Sequence, residues 1–244
     1  MKSEGPVNGL RFFCGRLSGK VYSFPRSGPI LEIQPMFKRV MLSALAFIVL
    51  AGSAAAEEFR AGTHYQVLPE KLPTTYRGNE AGEIMEIFSY SCIHCFNLEP
   101  FVTAWKQGKP DDIRFTPVPV LFNQRQIPEA KAYYTGQFLD VIDQTHPSIY
   151  NEIHVNRNRL SSDGDFAEIF ERFNVDESEY MNMANSFAVN TRISLAQRIT
   201  QMSQIQGTPS LVVNGKYLIS GQMAGGNERM FTVAEWLVRN DGNL

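Results

Sequence analysis

Two cysteines three positions apart, in FSYSCIHCFNLEP (88–100), constrain this chain more than any other feature, because it has only three cysteines in 244 residues. The preceding EIMEIFSY (83–90) is rich in Ile, Phe and Tyr and reads as a buried strand. The following CFNLEPFVTAWKQG places Phe96, Leu98, Phe101, Val102 and Trp105 at helical spacing and ends near Gly108, with Pro100 expected to kink it. Cys92 and Cys95 therefore straddle a strand-to-helix junction. A disulfide closing so small a loop removes little entropy from the unfolded chain and makes a poor staple. The spacing suits reversible chemistry better than cross-linking.

Residues 1–56 differ from the rest. From Met36, MFKRVMLSALAFIVLAGSAAAEE has Lys38 and Arg39, then an apolar run from Val40 to Leu50, then Ala54, Ala55 and Ala56. That order is that of a secretory signal peptide over 36–56, with cleavage expected after Ala56. The apolar run, about a dozen residues, is short of the roughly 20 that a spanning helix needs. Residues 1–35 hold scattered Gly and Pro without periodicity and read as an upstream extension, with Met36 the expected initiator. Cys14 falls there, so the mature chain is expected to keep only Cys92 and Cys95. Without the leader, sixteen basic residues face twenty-three acidic ones, a net charge of −7. No basic stripe remains to hold phosphates, so nucleic acid is not an expected partner.

HYQVL (64–68) reads as a short early strand, and IRFTPVPVLF (113–122) as a second core strand made irregular by Pro117 and Pro119. From Gln124 to Gln206 the apolar residues recur three and four apart, predicting four or more helices with breaks at Pro147, Gly164 and NVDES (174–178). GTPSLVVNGKYLISG returns to strand character, with Asn214-Gly215 as a hairpin turn, and NERMFTVAEWLVRN closes the chain as an amphipathic helix. This order resembles an α/β, thioredoxin-like fold with an inserted helical domain. Its first part would be residues 57–123, the insertion 124–190 and its second part 191–244.

A thiolate is the working form of cysteine, and an ordinary thiol pKa of roughly 8.5 leaves little of it at neutral pH. At a helix N-terminus the Cys92 sulfur would lie beside unpaired N–H groups and the positive end of the helix dipole. Cys95, within the same first turn, could close a disulfide with it, and a disulfide with a stable leaving thiolate is an oxidant. His94 could add a hydrogen bond or a positive charge beside Cys92, or be an exposed helix-start residue without a role. Glu86 interrupts an apolar strand on the side of Phe88 and Tyr90. It is either a carboxyl buried beneath the site, with a raised pKa suited to serving Cys95, or a residue at a solvated strand end. Thr208-Pro209 introduces a strand; periodicity alone favours a plain turn and leaves the isomer open.

Taken together, MEIFSYSCIHCF, the helical block and GTPSLVVNGKY resemble the DsbA family of periplasmic thiol:disulfide oxidoreductases. The resemblance spans nearly all of 57–244. It implies that Cys92 is the exposed, attacked cysteine, Cys95 the buried resolving one and His94 a stabiliser of the thiolate. It also implies that Glu86 is the buried proton-transfer acid, and that Thr208 and Pro209 form a substrate-facing cis-proline loop. The best-known DsbA motif has proline where this chain has Ile93, a position that tunes redox poise, and some members have valine at the position of Thr208. No dissociable cofactor is expected, because the electrons would reside on the Cys92–Cys95 pair. The implied partners are unfolded or partly folded exported proteins and a membrane reoxidase of the DsbB type; a periplasmic monomer is expected.

Other readings are a reductase or isomerase on the same chemistry, and a non-catalytic chaperone using the Met-rich 181–202 region and exposed aromatics. A zinc knuckle lacks a second ligand pair, since His64, His146 and His154 show no metal spacing. A c-type haem site needs histidine where Phe96 stands.

Overall fold

Residues 59–75 and 79–244 are described by a computed structural model. The expected leader, Cys14 and the position after Ala56 lie outside the described residues. Five strands form one sheet: β1 (Gln66–Val67), β2 (Gly82–Phe88), β3 (Ile113–Pro119), β4 (Ser210–Val213) and β5 (Tyr217–Ser220), in the order β1-β5-β4-β2-β3. β2 runs parallel to β3, while the β2–β4, β4–β5 and β1–β5 pairs are antiparallel. Parallel neighbours require a crossover, and α1 (Ile93–Gly108) supplies it with Pro100 in its interior. Every residue of β2 is buried, as its nearly unbroken apolar run requires of a central strand. Only Glu83 and Glu86 break that run.

One face of the sheet packs with α1 and α7 (Asn227–Asn240), where Ile84, Leu98, Val102, Leu211 and Leu237 share a core cluster. The other faces the inserted helices, with Met85, Ile87 and Val212 clustered with Tyr134, Ala196 and Ile199. The insertion holds α2 (Ile127–Phe138), α3 (Ile142–His154), α4 (Asp163–Glu171), α5 (Glu177–Ala184) and α6 (Phe187–Ser203). The side chains of Ser162, Asp176 and Ser186 accept backbone N–H bonds at the starts of α4, α5 and α6. α6 runs unbroken across positions 190 and 191, carrying the chain from the insertion back towards the sheet.

Several expected boundaries move. Pro147 lies inside α3 rather than breaking it, for it removes only one intrahelical bond while Thr145, Ile149, Tyr150 and Glu152 bury the same helix. The break comes earlier, where Asp140 takes φ 57° between α2 and α3. Gly164 likewise lies in the first turn of α4, behind the Ser162 cap. NVDES does separate two helices, with Asn174 at φ 63° and Asp176 capping α5. β1 is shorter than HYQVL, and β3 ends at Pro119.

The hairpin forms where expected, with Asn214 at φ 52° and Gly215 at φ 69°. A side chain at Gly215 would meet the Leu72 carbonyl oxygen at 2.5 Å, so glycine is required there on two counts. Met181, Met183 and Met202 are part-buried against the core, which removes them as a free adhesive surface. No described helix is long and apolar enough to cross a membrane.

Candidate active site

β2 ends at Phe88, the chain turns through Ser89, Tyr90 and Ser91, and α1 starts at Ile93 with Cys92 as its N-cap. Both cysteines are free thiols, with Cys92 part-buried and Cys95 wholly buried. Cys92 thus sits where a helix leaves its first N–H groups without internal partners. The backbone N–H groups of His94 and Cys95 are directed to its sulfur.

These contacts separate the two thiols. The Cys95 thiol donates to Cys92 and does most to bring its pKa from 9.0 to about 5; partial burial opposes it, and Thr208 together with the two N–H groups adds to the lowering. Burial, followed by the hydrogen bond and charge of Cys92, pushes Cys95 far above the ordinary thiol range. The first proton lost is therefore that of Cys92. As a thiol, Cys92 also donates to the Thr208 carbonyl oxygen at 3.2 Å.

Thr208-Pro209 is cis, resolving the isomer that periodicity left open and replacing the plain turn. His94 is exposed and lines a groove of about 710 Å³ with Gln206, Thr208, Pro209 and Met223. The backbone N–H of His94 reaches the Cys92 sulfur.

Glu86 is buried, 2% exposed, with Oε1 lacking a hydrogen-bond partner among the described residues. Burial, then the neighbouring Glu99 carboxylate, raises its pKa to about 8, against the opposing charge of Lys106. A crevice of about 640 Å³ between α1, β3, α2 and α3 is lined by Glu86, Glu99, Lys106, Tyr133 and His146. Of the two readings of Glu86, the structure shows a buried carboxyl rather than a residue at a solvated strand end.

Sequence reasoning missed four neighbours. Glu129, near the start of α2, accepts from Ser89 Oγ at 2.8 Å and from the Ser91 N–H at 3.4 Å, pinning the turn before Cys92. Glu99 stands four residues after Cys95 on α1, a helical spacing that could have drawn notice. His146 and His154, both on α3, reach Tyr90, the first bonding its hydroxyl and the second its carbonyl, each at 2.8 Å. His154 also stacks on Phe96 with ring centroids 5.0 Å apart. Nothing local in the sequence joins a helix near residue 150 to position 90. No group of three or more His, Cys, Asp or Glu among the described residues is placed to hold a metal ion.

The arrangement matches known proteins. A family model described as a DSBA-like thioredoxin domain matches residues 130–238. The thiol:disulfide interchange protein DsbA of Azotobacter vinelandii is 30% identical over 199 residues, 82% of this chain and 92% of that protein. The chain belongs to the DsbA family. The crystal structure of Pseudomonas aeruginosa DsbA superposes with a TM-score of 0.70 at 27% identity, covering 75% of this chain and 95% of that one. The oxidoreductase DsbA from Xylella fastidiosa gives 0.71 at 25%, covering 77% of this chain and all of that one. This DsbA-family chain is a thiol:disulfide oxidoreductase on a thioredoxin-like fold with a helical insertion.

Proposed function

We propose that this protein works in the periplasm as a disulfide donor to exported polypeptides. The observation that carries the reading is the unequal environment of the two sulfurs: Cys92 has a pKa near 5, and Cys95 is wholly buried. A substrate thiolate attacks Cys92 Sγ of the Cys92–Cys95 disulfide, the S–S bond breaks, and Cys95 leaves as a thiolate. Burial makes that anion costly, so it takes a proton, which Glu86 holds at neutral pH. A second substrate thiolate attacks the substrate sulfur of the mixed disulfide and expels Cys92.

Two substrate thiols are thereby oxidised by two electrons and the protein is left as a dithiol. Cys92 departs readily because its thiolate is stable, and the same stability makes the disulfide oxidising. Thr208 and Pro209 border the groove in which the substrate chain would lie, with His94 on its rim. No dissociable cofactor enters this scheme; a membrane reoxidase of the DsbB type would return the dithiol to the disulfide, and the protein would act as a monomer.

The deciding experiment traps free thiols in freshly harvested cells. A mainly oxidised Cys92–Cys95 pair is expected, whereas a mainly reduced pair would overturn the donor reading in favour of a reductase or isomerase. Cys92→Ser should abolish oxidation of a reduced peptide; retained protection of unfolded chains without any exchange in the wild type would instead indicate a chaperone.

A further inference from the structure

His146 comes from α3, and the two residues it hydrogen-bonds lie 56 and 47 positions away in the sequence. Its Nδ1 lies 2.8 Å from the Tyr90 hydroxyl and its Nε2 3.3 Å from Glu99 Oε1. Phe88, Tyr133 and Tyr150 meet the ring edge-on, at centroid distances of 5.4, 5.8 and 5.1 Å, so it has little room to turn. An ionised Glu99 can only accept, which places the neutral ring's proton on Nε2; Nδ1 then accepts from the wholly buried Tyr90 O–H. The result is a directed chain from Tyr90 through His146 to Glu99. It ends at the crevice that Glu86 shares.

We propose that His146 is a positioning residue of the exchange reaction, fixing the Glu99 carboxylate at the crevice it shares with Glu86, whose Oε1 has no partner among the described residues. This rests on reading Glu86 as the acid that serves Cys95. The charged groups around that acid come from several elements. α1 and the turn after it supply Glu99, Lys106, Lys109 and Asp111, β3 supplies Arg114, which pairs with Glu80, α3 supplies His146 and Asp143, and the α2 side presents uncharged Tyr133 and Gln137. Burial does most to keep the proton on Glu86; Glu99 adds to that and Lys106 opposes it, so the position of Glu99 sets how far the carboxyl stays protonated beyond what burial alone provides. Freed from His146, a glutamate 22% exposed would turn towards water and leave Lys106 unopposed.

The test uses His146→Phe, which keeps a ring between Phe88, Tyr133 and Tyr150 but removes both hydrogen bonds. Carbon-13 NMR of carboxyl-labelled glutamate in the reduced protein follows Glu86 directly, its resonance assigned by its loss in Glu86→Gln. The expected result is a midpoint about one pH unit lower in His146→Phe, with the same fall in Glu99→Gln. The double variant should fall no further than Glu99→Gln alone, because the effect runs through Glu99. The absorbance midpoint of the Cys92 thiolate should stay near 5. An unmoved Glu86 midpoint in His146→Phe, or a further fall in the double variant, would overturn the proposal; a purely structural role would lower the melting temperature without moving the midpoint.

Single-turnover exchange separates this from failure of the underlying reading. If Glu86→Gln leaves the pH profile of exchange unchanged, Glu86 is not the acid, while the NMR shift still reports whether His146 positions Glu99.

Discussion

Strand β2 buries two carboxyl groups three residues apart, on opposite faces of the sheet, and its two ends treat them in opposite ways. Glu83 accepts from the Thr75 N–H at 2.8 Å and from the hydroxyls of Thr75 and Thr116. Next to it, Asn214 bonds the Glu83 backbone in both directions, and Asp241 collects Asn214, Lys216 and Tyr217. Glu86 has an oxygen without a partner, and the buried Tyr150 hydroxyl also lacks one among the described residues. A satisfied buried group is structural; an unsatisfied one stores free energy that a change of protonation can release. The end remote from the cysteines is locked, while the end that carries them is left titratable.

Substitutions should break this contrast in opposite directions. Glu83→Ala removes three accepted hydrogen bonds in a buried place, and chemical denaturation should show a loss of about 3–5 kcal/mol with the Cys92 titration unmoved. If Glu83→Ala instead shifts the thiolate midpoint, the two ends are not independent.

Glu86→Gln should stabilise the fold by about 3 kcal/mol at pH 7. A folded pKa of about 8 against 4.5 when unfolded means that folding binds a proton, so the carboxyl destabilises progressively as pH rises from 4.5 to 8. The gain should therefore vanish near pH 4, and denaturation at both pH values checks the sign.

Cys92 runs the other way. Its folded pKa of about 5 lies below the unfolded 9.0, so the thiolate stabilises the reduced protein above that window and the benefit fades as pH falls through 5. Relative to Cys92→Ser, the reduced protein should lose about 1 kcal/mol between pH 7 and pH 5, solvent screening at this half-exposed sulfur reducing the full linkage value. Absorbance of the thiolate should titrate with the same midpoint.

The smallest effect belongs to Lys216→Met. This residue is 40% exposed and its bond to Asp241 is 2.8 Å, so its removal should cost under about 1 kcal/mol. A larger loss would mean that Asp241 depends on that ammonium to hold Asn214 and Tyr217.

How far the sequence could be read follows from where each contact originates. The cysteine pair, the strand before it, the hairpin at Asn214-Gly215 and the closing helix are local patterns, and each appears in the structure. The burial of Glu86 could not be read, because alternation assigns a face without saying what covers it; α1 and the crevice do that. Glu129 and His146 reach the site by tertiary packing, over forty and fifty-six positions from Ser89 and Tyr90. Pro147 misled because a missing backbone bond is visible in the sequence, whereas the buried face that compensates for it is not.

The grip of α3 on both sides of the dithiol has a mechanical consequence. His154 holds the Tyr90 carbonyl and stacks on Phe96, so the segment containing Cys92 and Cys95 is splinted from outside at both ends. Each turnover makes and breaks a bond inside that segment. Its flanks are fastened to a separate helix, so α3 braces the one turn of backbone in which that bond forms.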